Sequence, residues 1–183
     1  MNPQVIDVRG RSAAAPSAVY ALLRDGATWP SFSPIDRFEL ERSGDSEREG
    51  LGAIRVFSTD HAVGRTRSRE QIVELRTDRR FSYVLLSGLA IRDYRADIDL
   101  EPTADGGTAI RWHSTFTRKT PGTGWFYRRV LTGFIEKMVA GLAAHAGTAR
   151  GGALLHPRDE QADQPQHPAR EAGPEPDATH HAG

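Results

Sequence analysis

Arg55 and Glu70 are the charges whose placement could carry chemistry. Arg55 stands between Ile54 and Val56, and Glu70 follows the run Arg65-Thr66-Arg67-Ser68-Arg69. The two stretches are expected to be neighbouring strands, so these side chains could face each other. Turned inward, such a pair needs desolvation and excellent geometry, and it would anchor a ligand carbonyl or carboxylate. Turned outward, it is a cross-strand surface pair worth about a few tenths of a kcal/mol. Alternation does not decide between them, because Ile72, Val73 and Leu75 do not alternate. No GxSxG, HExxH, Walker loop or GxGxxG is present. The chain has no cysteine, which excludes thiol nucleophiles, disulfides, CxxC redox chemistry and thiolate zinc sites. His61 falls in a turn, His113 on the polar side of a strand and His145 near a helix end, so no triad can be nominated. Residues 1–150 lack paired histidines and carboxylate clusters, and the irregular spacing of His156, His167, His180 and His181 reads as incidental composition, so neither a metal nor a cofactor is expected.

The elements that must carry these residues follow from periodicity. Gln4 to Arg9 alternates as a short strand. Pro16 suits a first helical position, and Val19, Leu22 and Leu23 then share one face. Trp29-Pro30-Ser31-Phe32-Ser33-Pro34 can make at most one helical turn between its prolines. Six further strands are expected at Ile35–Glu41, Gly52–Ser58, Arg65–Leu75, Arg80–Ser87, Arg92–Glu101 and Thr108–Thr117. Short turns rich in Gly, Asp and Ser separate them, which favours antiparallel hairpins. Tyr94, Ala96, Ile98 and Leu100 alternate with charged residues, as Ile110, Trp112, Ser114 and Phe116 alternate with Arg111, His113 and Thr115; each strand therefore has one covered and one wet face. From Trp125 to about Ala146, Leu131, Phe134, Ile135, Met138 and Leu142 recur at helical spacing, with Gly147 as a candidate stop. The expected fold class is α+β, one amphipathic helix against one curved antiparallel sheet.

Length and charge set the remaining bounds. The 183 residues carry 24 basic and 24 acidic side chains, and the length suits a single domain, residues 1–150, followed by a tail. Residues 151–183 hold two bases, six acids, five prolines and four histidines, and lack large aliphatics beyond Leu155. A segment so poor in apolar groups cannot repay its ordering entropy and is expected to be disordered. Arg65, Arg67 and Arg69 form a basic row without interleaved exposed aromatics, so no nucleic-acid partner is expected. No apolar run reaches the roughly 18–20 residues of a membrane span, and the first residues show no signal-peptide pattern. Stable membrane insertion is not expected, and a cytoplasmic location is.

The order of parts, with the stretches Pro16 to Asp25, Trp29-Pro30-Ser31-Phe32-Ser33-Pro34, Arg69 to Leu75 and Gly106 to Trp112, resembles the SRPBCC superfamily. This START-like group includes polyketide cyclases/dehydratases and the birch-pollen-allergen type. The resemblance covers roughly residues 4–147 and implies a helix-grip fold: seven antiparallel strands curved around a long C-terminal helix, with two short helices after the first strand. It further implies a hydrophobic cavity between sheet and helix. Family members carry or sequester lipids, hormones and polyketides, and some catalyse cyclisation, dehydration or aromatisation.

Inward candidates for the wall of that cavity are Trp29, Phe32, Phe57, Phe81, Tyr83, Tyr94, Trp112, Phe116, Phe134 and Met138, each of which could equally be plain core. Tyr83 and Tyr94 could supply phenol donors, with Ser114 among apolar neighbours on the inner face. If the sheet is a meander, the turns near Asp60–Gly64 and Gly88–Ala90 and the connection Arg118–Gly124 share one rim. The apolar character of Leu89, Ile91, Trp125 and Phe126 there fits a portal, a packed hairpin tip or a dimer contact. The expected function is binding of a small hydrophobic ligand, lipid- or polyketide-like. The resemblance also allows a cyclase/dehydratase-type enzyme with Arg55, Glu70, Tyr83 and Tyr94 as acid–base groups, or a protein-interaction or lipid-delivery module.

Overall fold

The computed structural model describes residues 3–153. After β1 (Gln4–Ser12), Pro16 opens α1 (Pro16–Arg24), which buries Val19, Tyr20 and Leu23. The Asp25 side chain accepts from the Ala27 N–H and starts a 3-10 turn, Gly26–Thr28. The turn runs into α2 (Trp29–Phe32), and both Trp29 and Phe32 are buried. The pair of bracketing prolines holds this helix to four residues.

Six strands follow: β2 (Arg37–Arg42), β3 (Ile54–Asp60), β4 (Arg65–Arg76), β5 (Arg80–Ser87), β6 (Ile91–Pro102) and β7 (Thr108–Arg118). They form one seven-stranded antiparallel sheet in the order β1-β7-β6-β5-β4-β3-β2, with β1 and β2 as open edges. The last element, α3 (Gly124–Ala153), packs mainly along β1, with further contacts to β7, α1 and α2. It runs past the expected end near Ala146. Gly147 lies inside it, because one helical glycine costs only about 1 kcal/mol and alanines continue on both sides. The helix also crosses the expected boundary at residue 150. The rest of the expected acidic tail, 154–183, lies outside the described residues.

Two irregularities decide which side chains face the helix. Register shifts between Ile72 and Glu74, so Val73 is an extra residue on β4, which is why Ile72, Val73 and Leu75 fail to alternate. A second shift separates Arg92 from Arg95, with Asp93 at φ 53. This bulge lets Ile91 and Tyr94 both point inward, and both are buried. On the outer face charges are paired: Arg65 with Asp60, Arg67 with Glu39, Arg69 with Glu41, and Arg111 with Asp7. The basic row of β4 is therefore neutralised in place.

Candidate functional site

Arg55 and Glu70 are direct cross-strand partners on β3 and β4, and both point inward. Arg55 is 0% exposed. Its Nε and Nη2 donate to Glu70 Oε1 at 3.0 and 2.6 Å, and its Nη1 donates to the Leu23 carbonyl at 3.0 Å. Leu23 lies in the last turn of α1, whose final carbonyls have no partners within the helix, so the guanidinium caps that helix and ties it to the sheet. The same carbonyl accepts from Trp29 Nε1 at 3.3 Å. Glu49, from the β2–β3 connection, brings Oε2 to 3.6 Å of Arg55 Nη1 and accepts from the Gly26 N–H at 2.9 Å. One cation thus faces two carboxylates in a desolvated place. Burial pushes the Glu70 pKa above the usual carboxylate range; the pull of Arg55 does not offset it, and Glu49 pushes the same way.

Aromatic rings close over this charge. The Arg55 guanidinium lies 4.6 Å from the Trp29 ring, 4.7 Å from Phe81 and 5.2 Å from Phe57. Desolvated cation–π contacts of this kind reach about 2 kcal/mol. Trp29 also stacks on Phe57 at 4.9 Å and meets Trp112 and Tyr83 edge-on. The expected wall residues Trp29, Phe57, Phe81, Tyr83 and Trp112 are therefore in mutual ring contact. Phe116 and Met138 are buried in the same cluster, Phe32 packs against His145, and Phe134 is only half-buried.

Away from Arg55 the ring series leads through Tyr83 to Tyr94, 6.0 Å between centroids. The Tyr94 hydroxyl and Ser114 Oγ form a buried hydrogen bond of 3.1 Å. The indole N–H of Trp112, fully buried on the strand of Ser114, lies by the Tyr94 hydroxyl without a well-aligned hydrogen bond. Burial raises the Tyr83 pKa well above the usual phenol value, reinforced by Tyr94 and Glu70. Burial raises Tyr94 as well, reinforced by Glu70, against the opposing effect of Ser114, Tyr83 and Trp112. Both phenols stay protonated at neutral pH and can donate to an acceptor oxygen.

A cavity of about 210 Å3 lies beside Tyr94, lined by Leu85 to Leu89, Ile91 and Lys119. Its wall joins the β5–β6 turn to the β7–α3 connection, so these two do share a rim. Leu89 and Ile91 line it, whereas Trp125 and Phe126 stand exposed at the start of α3. A more open groove of about 510 Å3 runs between the end of α2 and α3, past Phe32, Pro34, Lys137, Gly141 and His145. Sequence reasoning did not single out Glu49, the Leu23 carbonyl or Lys119. Glu49 sits in a polar loop and looks like any solvated acid, and a backbone acceptor leaves no trace in residue type. Among the described residues, His113 lies near Asp7 on the outer face, His61 bonds Thr66, and no cluster of His and acidic groups could hold a metal.

Comparison with known proteins places this geometry. No curated protein matches the chain. Solved structures share its fold at low identity. A START superfamily protein from Mycobacterium smegmatis is 11% identical with a TM-score of 0.68, covering 79% of this chain and 98% of that one. A point mutant of Thalictrum flavum norcoclaurine synthase, in complex with a transition-state analogue, is 14% identical with a TM-score of 0.66, covering 81% and 97%. A protein from Thermus thermophilus is 17% identical with a TM-score of 0.64, covering 80% and 99%. Residues 4–147, from the start of β1 to the buried length of α3, match the family described as polyketide cyclase / dehydrase and lipid transport, and the chain belongs to that family.

Proposed function

We propose that this domain binds a small, mainly apolar molecule carrying an acceptor oxygen, in the cavity beneath the β5–β6 hairpin. The observation that carries this reading is one buried phenol donor, Tyr94, on the wall of that cavity. Tyr94 lines the cavity with its hydroxyl bonded to Ser114, and behind it the ring of Tyr83 lies 6.0 Å from that of Tyr94. Ligand sites usually combine apolar side chains with placed polar groups; here Leu85, Leu86, Leu89 and Ile91 surround a cavity whose exposed surface is mainly polar. Leu89 and Ile91 form the entrance in this reading. The cavity suits a one- or two-ring compound, and a larger guest requires the rings around Trp29 to move apart. Arg55 acts from behind: with every nitrogen engaged, it fixes Glu70 and α1 rather than touching the guest. The family description and the likeness to START proteins support carriage of a hydrophobic ligand.

A second reading, cyclase/dehydratase-type catalysis, is favoured by one specific feature. Glu70 has a raised pKa and lies near two phenols whose ionisation it opposes, and buried acids of this kind recur at catalytic sites. In that reading Glu70, Tyr83 and Tyr94 move or hold protons on an enolisable substrate. Titration of the full chain with 2-acetonaphthone, followed by tryptophan emission, tests binding. Saturable quenching is expected, weakened roughly three- to tenfold in Tyr94→Phe, the loss of one hydrogen bond. Absence of saturable binding, together with native mass spectra free of any co-purified small molecule, would falsify the proposal. Product formation that Glu70→Gln abolishes while binding persists would select the enzyme.

A further inference from the structure

The first two turns of α3 pack Tyr127 and Leu131 on the core and turn other apolar side chains outward. Trp125, Phe126 and Val130 are 66%, 51% and 51% exposed, and Ile135 is the first buried large side chain of the helix. Leu86, on the wall of the cavity, is exposed on the hairpin of the same rim. From Arg118 to Ile135 the chain carries four cations, Arg118, Lys119, Arg128 and Arg129, and no carboxylate. Lys119, Arg128 and Arg129 are exposed, and among the described residues none of the four has an ion-pair partner. Many arginines of the sheet, by comparison, are matched to an aspartate or glutamate.

We infer that this rim docks on the surface of an anionic phospholipid bilayer. Two features must be met together, an apolar aromatic cluster and an unneutralised cationic border. A second copy of the chain meets only the first, because a two-fold contact sets each cation against another. A soluble polyanion meets only the second and leaves Val130 and Leu86 uncovered. An anionic bilayer meets both. Trp and Phe settle at headgroup depth, while arginines and lysines gain about 1 kcal/mol each from the negative surface. The contact is peripheral, since among the described residues no helix is long and apolar enough to cross a membrane. The cavity opens on the same rim, so docking would bring its mouth to the lipid. The inference does not depend on what the cavity holds, and Tyr94→Phe should leave docking intact.

Flotation of the full chain with phosphatidylcholine vesicles, with and without phosphatidylglycerol, tests it. Co-flotation is expected only with phosphatidylglycerol, and it should be lost at high salt. Trp29 and Trp112 are buried, so a blue shift of emission on binding reports Trp125. Trp125→Phe should keep flotation and lose the shift. Arg128→Gln with Arg129→Gln should weaken binding roughly 30-fold, about fivefold per charge. Trp125→Ala with Phe126→Ala should weaken it at unchanged salt dependence. These residues are exposed, and unchanged melting curves would confirm that the variants fold. Flotation that ignores phosphatidylglycerol, or survives both double variants, overturns the inference. So does self-association in lipid-free sedimentation that Trp125→Ala abolishes, or equally tight binding to a duplex DNA fragment.

Discussion

Arg55 shows how one residue can be chemically conspicuous in sequence and still lie away from solvent and from the cavity at the hairpin rim. Its three donor contacts hold Glu70 and the end of α1, while Trp29 and Phe81 lie against its guanidinium. Removing one member of a buried pair leaves an uncompensated charge, which costs about 3–5 kcal/mol, whereas replacing both by apolar groups of similar volume is often near neutral. Arg55→Met should therefore lower unfolding stability by about 3–5 kcal/mol, because two carboxylates lose their cation. Adding Glu70→Leu should recover much of that loss. Urea unfolding of the two variants measures the difference, and additive losses would mean the residues are not coupled. Arg55 is thus legible in sequence as a charge among apolar neighbours, whereas Glu70 sits in a polar run. The inward direction of the pair is not legible, because the β4 bulge at Val73 scrambles the parity that would reveal it.

At the scale of elements, the site depends on how closely backbones approach. Gly88, at the tip of the β5–β6 hairpin, has φ 115, and a Cβ there would lie 2.5 Å from the Arg67 carbonyl oxygen. Any side chain must lift the hairpin that roofs the cavity. On α3 the same substitution should act in opposite directions at two positions. A Cβ on Gly141 would overlap the Phe32 carbonyl oxygen, so Gly141→Ala must push α2 off the helix and should cost about 2–3 kcal/mol. Gly133 has open space around it, and Gly133→Ala should stabilise by about 0.5–1 kcal/mol through helix propensity. Thermal melts of the two variants, moving apart from wild type, check this. A glycine that spaces two helices reads in sequence like any other glycine, and only the packing distinguishes them.

The whole molecule divides its charges by layer, and pH should expose the division. Outer-face carboxylates are held below their usual range: Asp7 by its hydrogen bond from Arg111, and Asp60 by its hydrogen bond from Arg65. In the β6–β7 turn, Asp105 is held down to about 2 by Thr103 and then Arg11. For acids with depressed native pKa, the stabilisation is present above the unfolded value and is lost as pH falls through the native one. Melting temperature should therefore drop between about pH 4 and pH 2, less steeply in high salt, which screens these exposed pairs. Glu70 acts in the other direction. Its native pKa is raised, so its favourable contribution is complete below the unfolded value and fades as pH rises through the native one. Stability is expected to pass through a maximum above the range where the outer carboxylates protonate, and melting temperatures flat from pH 2 to 8 would contradict both assignments.

The amino-acid sequence alone determined the number and order of elements, because apolar periodicity, proline placement and turn residues act over a few neighbours at a time. It also determined which rings face inward on β6 and β7, where alternation is clean from Tyr94 to Leu100 and from Ile110 to Phe116. Tertiary structure decided the rest. Whether those rings surround open space or one another depends on contacts between residues far apart in the chain, such as Trp29 on Phe57 and Trp112. Placing an open cavity at the hairpin rim, and a carbonyl of α1 on a strand arginine, required three elements to meet at once. No local pattern encodes such a meeting, since each partner contributes side chains that would look ordinary by themselves.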